Sequence, residues 1–170
     1  VAELLPVAAA FRRAGNRVTA LCGARSAAQR ILDAELRDAV DEVLWATDDG
    51  SCGFHGNVVG LMREWRHRGQ AELAHVIGPV PMMRAAAALT REWGLRTFAS
   101  LNPVMIDGTG MCGGCRVTVG DQVRFACVDG PEFDAHLVDF DELQRRNGAY
   151  VEHERRALAL HECRIGLSGD

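Results

Sequence analysis

Over the first hundred residues, apolar positions switch between two periods. From Leu4 to Ala14 they recur at helical spacing and stop at Gly15, a residue suited to the position just past a helix. "NRVTALCG" (16–23) is a short apolar run closed by glycine and predicts a strand. Ser26 stands as an N-cap before "SAAQRILDAELRDAV", where Ile31, Leu32, Leu36 and Val40 share a face and predict a helix over 26–40. "EVLWAT" (42–47) predicts the next strand. Beyond a glycine-rich loop, 57–68 reads as helix, 73–78 as strand, 79–93 as helix and 95–101 as strand. Short strands separated by helical segments imply βαβ units, hence an α/β fold with a doubly wound parallel sheet.

The pattern changes at Pro103. From there to Gly130 the chain is rich in Gly, Cys and Val, and "CRVTV" (115–119) with "QVRFACV" (122–128) predicts a hairpin turning at Gly120-Asp121. Helical patterns return in "DFDELQRR" (139–146) and "AYVEHERRALALHEC" (149–163). Two units are expected: an α/β nucleotide-binding domain over 1–101, and a small C-terminal module with helices over 102–170.

Composition narrows the classes. Of 170 residues, 48% are apolar, enough for a buried core. The net charge of -4, with no Lys or Arg run, excludes a nucleic-acid footprint. The apolar stretches are short and interrupted, so no membrane span is expected. The start "VAELLPVAAAFRRAGNRV" lacks the basic head and cleavage site of a secretory signal. Six cysteines in such a chain point to a reducing, cytoplasmic setting, where clustered thiols serve metals or redox chemistry.

In open α/β sheets, ligands sit beyond the carboxyl ends of the strands. Three loops lie there: "GARS" (23–26), "TDDGSCGFHG" (47–56) and "GPVPMM" (78–83). Gly23, Gly50 and Gly78 allow close approach of backbone, and Pro79 and Met82 open a helix whose N-terminus suits an anion. Arg25 suits a phosphate or an adenine face, while Asp48, Asp49 and Ser51 suit ribose hydroxyls. Each loop alone also reads as plain chain reversal or helix capping. Three at one edge favour a nucleotide site. A dinucleotide fold opens with a strand and a glycine-rich phosphate turn, whereas Val1 already lies close to the first helix. The expectation is weak nucleotide binding by these residues alone.

The cysteines carry the sharper signal. The spacing is Asp107-x4-Cys112-x2-Cys115-x11-Cys127. Plant-type 2Fe–2S proteins space their ligands C-x4-C-x2-C with a distant fourth Cys, and here Asp takes the first place. Gly108, Gly110, Gly113 and Gly114 suit a loop wrapped round a cluster. Spacing alone leaves two rivals open: a zinc site of Cys112, Cys115 and Cys127 with His136 or Cys163, and a redox dithiol at Cys112 and Cys115. Cys22 reads as a core residue, and Cys52 and Cys163 receive no role.

The stretch "SLNPVMIDGTGMCGGCRVTVGDQVRFACVDGPEFDAHLVDFDEL" closely resembles the C-terminal part of the FAD/NAD-binding small subunit of NADH-dependent ferredoxin:NADP oxidoreductase, a group that includes sulfide dehydrogenase subunits. That family is related to the electron-transfer subunit of dihydroorotate dehydrogenase. The likeness runs back through "IGPVPMMRA", "TDDGSCGFHGNV" and "LCGARS". It implies a ferredoxin-reductase-type sheet with a C-terminal cluster module, and a 2Fe–2S cluster on Asp107, Cys112, Cys115 and Cys127. Asp107 favours the ferredoxin:NADP branch over the dihydroorotate branch, whose first ligand is Cys. It further implies FAD on a β-barrel ahead of Val1, and a partner iron–sulfur flavoprotein subunit resembling the small subunit of glutamate synthase. The expected function is electron transfer between NAD(P)H, FAD, the cluster and that partner, with no general acid or base. The alternative is a zinc-stapled nucleotide-binding regulatory module without a redox role.

Overall fold

A computed structural model describes residues 1–159. Helix α1 (Leu4–Arg13) carries Arg12 and Arg13 in its last turn, where cations suit the helix dipole, and Gly15 follows in the left-handed region at φ +84°. Strand β1 (Thr19–Ala24) pairs in parallel with β2 (Glu42–Thr47), from Thr19 opposite Glu42 to Ala24 opposite Thr47, and β2 pairs with the short β3 (Phe54–His55). Alternation along β1 sends Ala20 and Cys22 to one face, where they join Ala8, Leu36, Val40 and Trp45 in a core. Gly23 points the other way: a Cβ built there would lie 3.1 Å from Val58 Cβ, at the start of α3 (Val58–Arg66). Helices therefore cover both faces, as a doubly wound fold requires.

The helix expected over 26–40 is shorter. Ala27–Gln29 form a single 3-10 turn, and α2 spans only Asp33–Ala39. Ser26 supplies no side-chain cap, and Leu32 breaks the helical path at φ 57°. Long-range contacts override the periodicity here. Ala27 donates its N–H to Ser51 Oγ at 2.7 Å, and Trp45 Nε1 donates to Asp33 at 2.6 Å. Ile31, expected in the core, is 57% exposed.

A second sheet joins β4 (Leu73–Ile77) to β5 (Arg96–Ser100) in parallel, and β5 to β8 (Glu132–Asp134) antiparallel. The single parallel sheet expected from the alternation is thus two three-stranded sheets, one of them mixed. Strands β3 and β8 are too short to mark the sequence pattern. Asn57 caps α3 by accepting the Gly60 N–H at 2.9 Å. Helix α4 (Val80–Glu92) buries Val80, Met83, Ala86, Ala87, Leu89 and Thr90, a helical stripe turned to the sheet.

Beyond residue 102, β6 (Arg116–Val119) and β7 (Gln122–Phe125) form the expected hairpin about Gly120. The strand predicted to reach 128 ends at Phe125, and α5 (Ala126–Asp129) is a helical turn. Asp129 causes the change by accepting the Phe125 N–H at 2.7 Å, while the Ala126 N–H is taken by Cys115 O at 3.1 Å. Helix α6 (Phe140–Asn147) is capped by Asp139, which accepts the Glu142 N–H at 2.8 Å, and α7 spans Val151–Ala159. The rest of the helix predicted to Cys163 lies outside the described residues. Val76, Met83, Ala87 and Ala99 share one core with Cys115, Val117, Phe133 and Leu143, so packing is continuous across residue 102. Among the described residues no helix is long and apolar enough to cross a membrane.

Candidate metal centre and nucleotide edge

The loop between Leu101 and Arg116 has little regular structure, and Gly108, Gly110 and Gly113 turn it in the left-handed region at φ 74°, 83° and 66°. Asp107 organises it. Its Oδ1 accepts the Thr109 N–H at 2.9 Å and its Oδ2 accepts the Cys112 N–H at 3.1 Å. These bonds, that of Thr109 first, hold the Asp107 carboxyl below its ordinary range, so it is an anion. Gly114 donates its N–H to Cys112 Sγ at 3.3 Å.

Cys115 and Cys127 meet because β6 starts where the loop ends and α5 turns back beside it. Their Sγ atoms lie 3.2 Å apart, with Cys115 buried and Cys127 half-buried. The Cys127 thiol is pushed up, first by its bond to Cys115 and then by burial, while the Gly110 N–H opposes the shift. The helical turn, not the expected strand, sets the direction of Cys127. Cys112 is exposed at the rim.

The four predicted ligands therefore stand as two pairs, Asp107 with Cys112 and Cys115 with Cys127, tied through Gly110 and Gly114. Among the described residues, no three His, Cys, Asp or Glu side chains converge as ligands of one ion. The zinc reading takes His136 or Cys163 as its fourth ligand, and His136 Nε2 is bonded to Thr90 Oγ1 at 3.0 Å against α4. Its other candidate, Cys163, lies outside the described residues. Three sulfurs, one carboxylate and backbone N–H groups aimed at sulfur match the donor set of an iron–sulfur cluster.

At the other edge, two of the three nucleotide loops are joined. Asp48 and Asp49 donate their N–H groups to Ala24 O and Arg25 O at 3.1 and 3.2 Å. Ser51 bridges further: it donates N–H and hydroxyl to Asp49 Oδ1 at 2.9 and 2.6 Å and accepts from Ala27. The Ser51 bonds hold the Asp49 carboxyl below its ordinary range. Gly23, Arg25, Asp48 and Asp49 thus line one exposed ledge with Gly50 and Ser51. Gly50 backs onto His55, whose ring would lie 2.9 Å from an added Cβ. Gly78 and Pro79 form a separate turn between β4 and α4, and a Cβ on Gly78 would meet the Cε of Met82 in the first turn of α4. Reasoning from sequence missed Ala27, whose N–H on Ser51 Oγ adds to the backbone bonds that couple the first two loops. It also missed Arg146 and Asn147, which hold the cysteine loop from α6.

Comparison with known proteins bears on both edges. Residues 102–139 match the iron–sulfur cluster binding domain of dihydroorotate dehydrogenase B. The chain is 44% identical over 155 residues to a Thermotoga maritima homologue of the dihydroorotate dehydrogenase B (NAD(+)) electron transfer subunit, covering 91% of this chain and 55% of that one. The chain is homologous to these electron-transfer subunits. A Desulforamulus reducens subunit of that name is 33% identical over 129 residues, 72% of this chain and 48% of its own length. A solved structure of the NADH-dependent reduced ferredoxin-NADP oxidoreductase, studied for flavin-based electron bifurcation, superposes with a TM-score of 0.84 at 40% identity, over 92% of this chain and 56% of that one. The fold is that of a ferredoxin-reductase-type electron-transfer subunit with an iron–sulfur binding domain at its C-terminal end. The chain spans about half the length of the relatives it matches.

Proposed function

We propose that this chain is the nucleotide- and cluster-bearing part of an NAD(P)H-dependent oxidoreductase subunit, residues 1–101 binding the nucleotide and 102–170 the cluster. Asp107, Cys112, Cys115 and Cys127 would hold a 2Fe–2S cluster, which supplies one-electron transfer when bound. The carrying observation is that Asp107 holds the Cys112 backbone within the glycine loop, the Gly114 N–H lies on Cys112 Sγ, and Cys115 at the end of that loop meets Cys127 on α5 at 3.2 Å. Asp107 keeps the loop closed and offers a hard oxygen; Cys115 and Cys127 anchor the buried side.

Arg25, Asp48, Asp49 and Ser51 would take the adenosine end of NAD(H) or NADP(H), with Gly78, Pro79 and Met82 on the far side. FAD belongs, in this reading, to a barrel outside residues 1–170. When bound, that flavin would supply a two-electron acceptor for NAD(P)H, and a cluster held by Asp107, Cys112, Cys115 and Cys127 would supply one-electron transfer onward. An apolar rim of Met105, Ile106, Met111 and Val128, exposed by 49%, 72%, 88% and 56%, supports docking of a partner subunit beside the cluster. That partner is an iron–sulfur flavoprotein.

The test is metal analysis with electron paramagnetic resonance on anaerobically purified chain. About two irons per chain, and a signal from one unpaired spin after dithionite reduction, are expected. Stoichiometric zinc without iron, after expression with ample iron, would overturn the assignment.

A further inference from the structure

Helix α6 ends on the cysteine loop. Arg146, half-buried, donates a guanidinium N–H to Gly114 O at 3.2 Å. Its neighbour Asn147 donates Nδ2–H to Asn102 O at 3.1 Å. These two carbonyls stand at opposite ends of the segment that carries Asp107 and Cys112. The helix providing the clasp is itself fixed, because Phe140 and Leu143 are 6% and 1% exposed in the core and Asp139 caps its start. A second guanidinium approaches the same turn: a Cβ built on Gly113 would lie 3.8 Å from an Arg116 nitrogen. Arg116 and Arg146 thus both border the Gly113–Gly114 segment, between Cys112 and Cys115.

We propose that Arg146, assisted by Arg116, is a positioning residue that raises the reduction potential of the cluster held by Asp107, Cys112, Cys115 and Cys127. The inference rests on the cluster assignment above. Three thiolates and a carboxylate leave the oxidised cluster a net anion, and one-electron reduction adds another negative charge. A fixed cation nearby therefore favours the reduced form. Guanidinium never loses its charge, and partial burial of Arg146 spares it some of the screening by salt. Its hydrogen bond acts in the same direction. By anchoring the Gly114 carbonyl it restrains the residue whose own N–H, one peptide unit back, lies on Cys112 Sγ, and hydrogen bonds to ligand sulfur help set the potentials of such clusters.

The experiment is a dithionite redox titration of the reconstituted 170-residue chain, followed by electron paramagnetic resonance. It compares the parent with Arg146→Leu, Arg146→Gln, Arg146→Lys and Arg116→Gln. Arg146→Leu and Arg146→Gln should make the cluster roughly tenfold harder to reduce, about 59 mV lower for one electron. Arg146→Lys restores most of the potential because the charge returns, and Arg116→Gln lowers it less because Arg116 is exposed. Hydrogen exchange of the metal-free chain gives an independent reading: residues 103–115 should open faster in Arg146→Leu than in the parent. Equal potentials in the parent, Arg146→Gln and Arg146→Lys overturn the proposal, as does unchanged exchange where no Arg146 variant retains iron. A parent chain that takes up no iron overturns the cluster assignment and this proposal together, which separates the two failures.

Discussion

The Asp107 carboxylate reaches across the glycine turn to the backbone of Cys112, with Oδ2 accepting its N–H at 3.1 Å. The first predicted ligand therefore shapes the loop that presents the second. A cysteine at this place would offer sulfur to a metal but would lose the charge-assisted bonds that close the turn, one to Cys112 and one to Thr109.

Substitutions at Asp107 should separate these roles. Asp107→Cys is expected to keep a cluster with an altered visible spectrum and potential, since thiolate is softer than carboxylate. Asp107→Ala loses the ligand and both loop bonds, and chelator-driven iron release should speed up on the order of ten- to a hundredfold. Iron release and a spectrum indistinguishable from the parent in Asp107→Ala would reduce Asp107 to a turn residue.

What the sequence discloses depends on how local the cause is. The βαβ alternation, the hairpin and the Asp107 to Cys127 spacing are written in contiguous residues. The strand-to-turn change at Cys127 is not, because it rests on Asp129 capturing the Phe125 N–H and on Cys115 O taking the Ala126 N–H. The broken helix at Leu32 depends on Ser51 and Trp45, far along the chain. Strand β8 exists because β5 offers it an edge, and three residues carry no period of their own. Side-chain partners between elements, such as Arg146 on Gly114, leave no trace in the pattern of either segment.

Gly53 tests the nucleotide ledge through its backbone. It sits at φ +69°, and an added Cβ would fall 2.1 Å from Trp45 O, a rigid strand carbonyl. Gly53→Ala must move the loop that carries Asp48 to Ser51 away from β2. It should destabilise the chain by about 1–3 kcal/mol, lowering Tm by about 2–4 °C for each kcal/mol. Nucleotide binding by titration calorimetry should weaken alongside. A Tm equal to that of the parent would show that the loop yields at no cost.

Asp33 gives a pH dependence of known sign. Its carboxyl is held below the ordinary range, first by the Arg37 side chain and then by Trp45 Nε1. A depressed folded pKa contributes stability above the unfolded value, and that contribution is lost as pH falls through the folded value. Asp33→Asn should lower Tm near neutrality by on the order of a few °C, and less in high salt. The gap from the parent should begin to narrow near pH 4, where the unfolded parent takes up the proton, and close only after pH has fallen through the lower folded value. Melts followed by circular dichroism check this; a gap independent of pH would assign the effect of the substitution to shape alone.

The cysteines should react in an order set by position. Among the described cysteines of the reduced, metal-free chain, Cys112 is exposed and should be alkylated first. Cys22 is 4% exposed on β1, and burial pushes its thiol up to about 11, so both access and thiolate fraction are low. Its labelling requires global unfolding and should be on the order of a thousandfold slower or more. Cys115 and Cys127 differ from both, because their sulfurs already lie 3.2 Å apart. A mild oxidant such as diamide should remove two electrons from this pair, with release of two protons, and form a Cys115–Cys127 disulfide in preference to any bond with Cys22. Peptide mapping checks the pairing. That disulfide should block iron uptake until dithiothreitol reduces it, since two of the four expected ligands are then consumed in one bond. A map dominated by Cys112–Cys115 instead would mean that the loop swings freely in the metal-free chain, and that the contacts of Asp107 and Arg146 do not hold it.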